Sequence, residues 1–279
     1  MRRRLIDLRR RGVMAIINVT PDSFYADSRA ADARSVEAQA IRAVEEGAAI
    51  IDVGGYSSRP GADDVPAEEE FRRVAEGLRA VRRVAPEVAV SVDTFRAEVA
   101  ARCLEAFGPL IVNDITAGEA DPELMKVAAR HDVPYVAMHM RGTPATMQSM
   151  TGYGDIVTEV ADYLRERIAR LTEAGVRREN IVVDPGFGFA KTAEQNFQLL
   201  AGLHRLRETG CPILAGISRK SMIYKTLGTT PAEALNGTSV LHWECLRQGA
   251  TLLRVHDVRE ASEVVRLYEK FEKYNDTSR

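Results

Sequence analysis

Cysteine is scarce in this chain: Cys103, Cys211 and Cys245 are odd in number and scattered. That pattern argues against a disulfide framework, a zinc ribbon or a redox pair, and suits core-like thiols in a reduced, cytoplasmic compartment. Charge of either sign is nearly balanced, with a formal net charge of −2, so no nucleic-acid or acidic-membrane partner is expected. No apolar run approaches the ~18–20 residues of a membrane span. The basic opening MRRRLIDLRRR is followed by no apolar h-region, and residues 1–12 read as a solvated lead-in to a strand at Val13. HExxH, CxxC, GxGxxG and Walker-type patterns are absent, which withdraws support from a zinc hydrolase, a dinucleotide enzyme and a P-loop kinase. Low-complexity segments and interdomain linkers are missing as well. Barrels of the α/β class commonly run to ~250 residues as one domain, so a single domain over 13–274 with a frayed tail at 275–279 is expected.

What the chain does have is ample apolar material, 45% of 279 residues, arranged in short runs. The organising stretch is IVVDPGFGFAK, Ile181 to Lys191. Three β-branched residues lead into Asp184, and Pro185, Gly186 and Gly188 then stop any regular element, the pattern of a buried parallel strand that delivers a carboxylate into a loop. Seven further runs resemble it: 13–19, 50–55, 88–94, 110–115, 135–140, 213–218 and 251–257. Amphipathic segments lie between them. One spans Ala67 to Val84, with Pro66 and Glu68 to Glu70 at its start and Arg82 and Arg83 at its end; another opens on Thr230, Pro231 and Glu233. Strict β/α alternation with eight strands predicts a (β/α)8 TIM barrel. Connections from helix to strand are short, whereas those from strand to helix (20–32, 56–66, 141–154 and 219–229) are long and rich in Gly, Pro and Ser. The chemistry is therefore expected on the carboxyl face.

Strand ends would ring that face with polar side chains. Asn18, Ser58, Arg59, Arg254 and His256 form one basic arc suited to a phosphate or diphosphate, and Asn18 offers an oxygen ligand to a magnesium ion held mainly by phosphate oxygens. The alternative for Arg254 is an internal salt bridge to Asp52 or Asp257. Asp93, Asn113, Asp184 and Lys220 form an opposite arc suited to the donor and acceptor edges of a flat heterocycle, with Met138, Phe187 and Phe189 as apolar faces. The alternative there is a buried ionic network that holds the barrel mouth. Asp114 and His139 alternate away from their neighbours and read as structural; His131, His204 and His242 read as surface or packing residues.

The motifs NVTPDSF (18–24), GGYSSRPGA (54–62), SVDT (91–94), NDI (113–115), MHMRGTPATMQ (138–148), DPGFGFAKT (184–192), GISRKS (216–221) and RVHDV (254–258) resemble, in order, those of the dihydropteroate synthase family of pterin-binding barrels. The resemblance implies condensation of 6-hydroxymethyl-7,8-dihydropterin diphosphate with p-aminobenzoate, giving 7,8-dihydropteroate and diphosphate in folate synthesis. It implies that Asp93, Asn113, Asp184 and Lys220 hold the pterin, with Met138, Phe189 and Gly216 near its ring. Asn18, Arg254 and His256 would take the diphosphate with Mg2+, and the loops bearing Asn18 to Phe24 and Ser58 to Gly61, with Arg59, Pro60 and Ser221, would complete the substrate pockets. Asn18, Lys220, Arg254 and His256 are the residues expected to act in turnover. A homodimer is the expected assembly, and sulfonamides the expected inhibitors. Two departures stand out: Tyr56, Ser57 and Ser58 replace the usual Glu-Ser-Thr, and Tyr25 to Ser28 replace Ser-Asp-Gly-Gly. The competing readings are a pterin-dependent methyltransferase and a non-catalytic pterin-binding paralogue.

Overall fold

Runs of Val, Ile and Leu that are apolar on both faces cannot be solvated on either, so they pair side by side and are covered by helices. In the computed structural model, which describes residues 6–19, 29–56, 65–143 and 145–275, they do so in chain order. The strands are β1 (Gly12–Asn18), β2 (Ile50–Gly54), β3 (Ala89–Asp93), β4 (Ile111–Asp114), β5 (Tyr135–Met138), β6 (Ile181–Asp184), β7 (Leu214–Ala215) and β8 (Leu252–Val255). The helices are α1 (Arg29–Glu45), α2 (Ala67–Val84), α3 (Ala97–Phe107), α4 (Glu123–His131), α5 (Ile156–Glu173), α6 (Ala193–Ala201), α7 (Ser221–Tyr224), α8 (Leu235–Arg247) and α9 (Val258–Asn275). All strand pairs are parallel, in the order β6-β5-β4-β3-β2-β1-β8-β7. A parallel bridge from Val183 to Ile213, with Val183 N–H donating to Pro212 O at 3.0 Å, nearly closes the ring between β6 and β7. This is the expected (β/α)8 barrel.

Two expectations change. The 213–218 run keeps only two residues in the ladder, and the stretch after Arg219 is not all loop, because α7 lies inside it. The lead-in is also not simply solvated. Leu8 is 5% exposed, and with Ile6 beside it packs against one residue from each strand: Met14, Ile50, Ala89, Ile111, Val136, Val182, Leu214 and Leu252. An open barrel end would leave that apolar layer wet, and the aliphatic pair in an otherwise basic segment covers it.

Candidate active site

Side chains along a strand alternate, so residues two further on from the apolar layer point into the same interior, one level nearer the carboxyl end. That step brings in Asp52, Ser91, Asn113, Asp184 and Arg254, while β1 and β5 keep apolar residues, Ile16 and Met138, and β7 is followed by Gly216. Asp52 has no exposure, Asn113 is 4% exposed and Asp184 5%. Buried polar groups at this density must satisfy one another. Asp52 Oδ2 accepts from Arg254 Nε at 2.7 Å and from Asn113 Nδ2 at 3.0 Å, and Arg254 Nη2 reaches Asp93 Oδ2 at 2.7 Å.

This overturns the picture of two arcs facing each other across the mouth. Arg254 is turned inward, and its guanidinium spans from Asp52 to Asp93, joining the expected diphosphate group to the expected heterocycle group. Asp257, the other candidate partner of Arg254, is instead held by Arg219 through two contacts of 2.8 Å. The cause is charge balance. Among the described residues Asp52 and Asp93 share the Arg254 guanidinium, and Asp184, raised by burial, is drawn down first by Lys220, then by Arg254 and Lys191; an unpaired carboxylate here would be costly. Burial works against the charge on Arg254, but Asp52 and Asp93 more than offset it and hold the guanidinium firmly protonated. Asp93, with 20% of its side chain exposed, is pushed up to about 7, first by loss of water, against the pull of Arg254 and with the further push of Asp52.

Asp184 closes the other flank. Its carboxyl is raised by burial, with Lys220 opposing, and its Oδ1 accepts from Gly186 N–H at 2.7 Å. A Cβ at Gly216 would lie 4.0 Å from Asp184 Oδ2 and 4.0 Å from Arg254 Cβ, so glycine keeps open a gap that both groups border. Lys220, the residue before α7, donates to Phe187 O, and its ammonium sits 4.6 Å from the Phe189 ring centroid. Burial depresses this ammonium to about 8, with Asp184 pulling the other way. Ser221 follows as the first residue of α7 and is half-buried. Met138 belongs to an apolar patch with Ile115, Met140, Met147 and Ala190, against which Phe95 and Phe189 pack. Phe187 does not join that patch. It has no exposure and lies in the layer between barrel and helices, so only its carbonyl serves the mouth.

At the rim, Asn18 is exposed and level with Gly54, and His256 is exposed just past β8, its Nδ1 3.3 Å from Ser218 Oγ. Ser58, Arg59 and Pro60, like the loop from Thr20 to Phe24, lie outside the described residues. Asp114 faces away from the mouth and accepts from Tyr135 OH and from Thr116 and Gly118 N–H.

Asp52 sits within an apolar run, and a reading of strand ends reaches it as one possible salt-bridge partner of Arg254 but not as a site residue. Period-two counting back from Gly54 would have found it. Among the described residues, its Oδ1 and the neighbouring Ser91 Oγ are buried without a hydrogen-bond partner. A ligand with N–H donors would satisfy such acceptors. The site can thus bind a flat polar ring edge-on to carboxylates and amide, cover its face with Met138 and Phe189, and place a guanidinium at its border.

Among the described residues no helix is long and apolar enough to cross a membrane. Residues 14–256 match the family described as pterin binding enzyme. The dihydropteroate synthase of Synechocystis sp. is 42% identical over 256 residues, which cover 91% of this chain and 88% of that protein. A structure of the Xanthomonas albilineans dihydropteroate synthase with 4-aminobenzoic acid has a TM-score of 0.86 at 39% identity, covering 95% of this chain and 94% of that one. A second structure of that synthase, in complex with 7,8-dihydropteroate, has a TM-score of 0.84 at 37% identity, covering 96% and 95%. Strand-borne carboxylates and an amide at the mouth of a barrel shared over nearly its whole length with these enzymes place the chain: it belongs to the dihydropteroate synthase family of pterin-binding enzymes.

Proposed function

We propose that this chain condenses 6-hydroxymethyl-7,8-dihydropterin diphosphate with p-aminobenzoate, releasing diphosphate and forming 7,8-dihydropteroate in folate synthesis. The observation that carries this reading is the gap at Gly216, bordered by Asp184 on one side and by Arg254 on the other. A heterocycle that presents N–H donors to Asp184 suits one border and leaves its anionic substituent toward the other.

Asp52, Asp93 and Asn113 offer acceptors and an amide to the amino and ring N–H edge, and Asp184 with Lys220 takes the remaining edge. Departure of diphosphate leaves a pterin-methyl cation that its own ring stabilises, and the aniline nitrogen of p-aminobenzoate then attacks the carbon. No strong base is needed, because the resulting anilinium sheds its proton to water or to the departing diphosphate. Arg254 and His256 are assigned to the leaving diphosphate, on which negative charge grows, so their contribution belongs to the transition state. Ser58, Arg59, Pro60 and Ser221 are assigned to the p-aminobenzoate side, where sulfonamides would compete.

Among the described residues no group of three His, Cys, Asp or Glu side chains is placed to hold a metal. The donor set nonetheless suits a magnesium ion brought by substrate, since one exposed amide oxygen, Asn18, together with diphosphate oxygens and water is what Mg2+ accepts. When bound there, the ion would neutralise charge on the leaving diphosphate. A homodimer is supported by Val240, Leu267 and Phe271 on α8 and α9, exposed by 60%, 65% and 53% beside Trp243. A cytoplasmic location is supported by three buried free thiols.

The test is diphosphate release with p-aminobenzoate present and absent. Release that depends on the aniline and on magnesium supports the synthase. Pterin binding without release would favour a non-catalytic paralogue, and methyl transfer from a methylated pterin would favour the methyltransferase, which has no use for Arg254 and His256.

A further inference from the structure

The loop between β6 and α6, residues 185–190, supplies two of the contacts that aim Lys220, the Phe187 carbonyl and the Phe189 ring, as well as the Gly186 N–H that holds Asp184. Its backbone is poorly suited to hold itself. Gly186 and Gly188 sit at φ +68° and +81°, and Ala190, which has a Cβ, sits at +50°, all in the left-handed region. The Gly186 position also lies directly on the chain of β5, where an added Cβ would come within 2.0 Å of His139 O.

Lys191 holds this loop from inside. The side chain folds back under it, 8% exposed. Its Nζ lies 2.9 Å from Gly186 O, 2.9 Å from Phe189 O and 3.0 Å from His139 Nδ1. Burial pulls the Lys191 amine well below its ordinary range, with Asp184 opposing, and as ammonium or as amine it has the two N–H groups that the two carbonyls take. The two carbonyls it takes flank the one that Lys220 takes, so consecutive stretches of one loop are divided between two lysines. Burial, reinforced by Lys191 and Arg141, drives the His139 imidazole down to about 2 and keeps it neutral, so its Nδ1 pairs with Lys191 Nζ in the sense that its tautomer sets. The ring is steadied by Tyr163, edge-on at 4.8 Å. Asn196 secures the far side, its Oδ1 accepting from Gly188 N–H at 2.7 Å.

The geometry points to Lys191 as a positioning residue for the pterin pocket: by tying Gly186 O and Phe189 O to His139, it sets the loop that orients Lys220 and Asp184. Acting through them, it touches neither substrate. The inference rests on the synthase reading, since it assigns the effect to the pterin substrate.

Steady-state kinetics of wild type, Lys191→Met and His139→Phe, with melting curves of each, test it. Lys191→Met keeps the volume and removes the donors. The expected result is a KM for the pterin diphosphate raised about 30-fold, because two buried carbonyls lose their partner, with the KM for p-aminobenzoate held within about twofold. His139→Phe keeps the edge contact with Tyr163 and removes one partner of Lys191. It should move the same parameter the same way by roughly three- to tenfold. Unchanged pterin KM in a folded Lys191→Met, or a loss that falls equally on both substrates and tracks the folded fraction, overturns the inference. Should Lys191→Met fail to fold, an unchanged pterin KM in His139→Phe overturns it. Absence of turnover and of pterin binding in the wild type would instead refute the synthase reading itself.

Discussion

The two ends of this barrel are built from the same eight strands, two residues apart, and they solve opposite problems. At the amino end the inward layer is wholly aliphatic and Leu8 covers it. A cavity of about 560 Å3 lies beside that cover, lined in part by Ile6, Leu8, Arg177, Asp132 and Asn180. Three of its polar side chains are spent on one another: Arg177 Nε reaches Asp132 Oδ1 at 2.7 Å and Asn180 Nδ2 reaches it at 3.2 Å. At the carboxyl end, among the described residues, Asp52 and Asp93 share Arg254, and buried acceptors on Asp52 and Ser91 are left over. Volume therefore does not mark the functional end. Unmet hydrogen-bonding capacity held on rigid strands does, because only a ligand can complete it.

Arg254→Ala breaks this contrast most severely. It removes the cation from two acids at once, and leaving them unpaired should cost about 3–5 kcal/mol of stability. Turnover should fall about a thousandfold, equivalent to ~4 kcal/mol of lost transition-state stabilisation. Adding Asp52→Asn should restore much of the stability and none of the turnover, since it removes the orphaned charge without replacing the guanidinium. Denaturant midpoints and kcat for the single and double variants measure both. An Arg254→Ala protein as stable as wild type would show that Asp52 and Asp93 do not depend on it.

How far the sequence revealed this depends on whether a residue acts through its own strand or through a distant partner. All eight strands were legible, because apolar runs punctuated by glycine and proline report burial on both faces. The shortness of β7 was not, since ladder length at the seam depends on how the ring closes. Asp184 and Lys220 were legible because they stand at the border of an apolar run and a loop. Arg254 was half legible: its presence at the mouth followed from position and Asp52 stood as one of two alternative partners, but choosing it over Asp257 needed the width of the barrel. Leu8 and Lys191 were illegible. One is an aliphatic residue in a basic segment, the other a lysine that folds back on the preceding loop, and neither fold-back is written in local pattern.

Leu8→Ala sharpens the comparison from the other side. Truncating a nearly buried leucine that caps an apolar layer should cost about 2–3 kcal/mol. No catalytic group lies in that layer, so kcat and both KM values should stay at wild-type levels once the protein is folded. Urea unfolding paired with steady-state assays checks this. A change in pterin KM on Leu8→Ala would mean that the two ends are coupled through the strands.

The smallest effect is a pH dependence carried by Lys220. Its ammonium, depressed by burial to about 8 from an ordinary 10.5, is faced by Asp184, which raises it, and by Arg254, which lowers it further. In the ligand-free barrel the unfolded chain holds this proton between those two values and the folded chain does not. The penalty for charging Lys220 is thus fully present below about 8 and is relieved as pH climbs toward 10.5, so stability rises across that window. Asp93, raised to about 7, gives the opposite slope at lower pH, stability falling as pH rises toward 7, and the two are separable. Pterin binding responds the other way to Lys220. If the ammonium donates to the ring, the dissociation constant should climb about tenfold per pH unit once pH passes 8, or ~1.4 kcal/mol per unit. Lys220→Met should bind weakly at every pH and lose both slopes. Calorimetric titration of the pterin from pH 7 to 9.5 distinguishes the outcomes: wild-type affinity flat across that range would take the Lys220 ammonium out of the recognition of the ring.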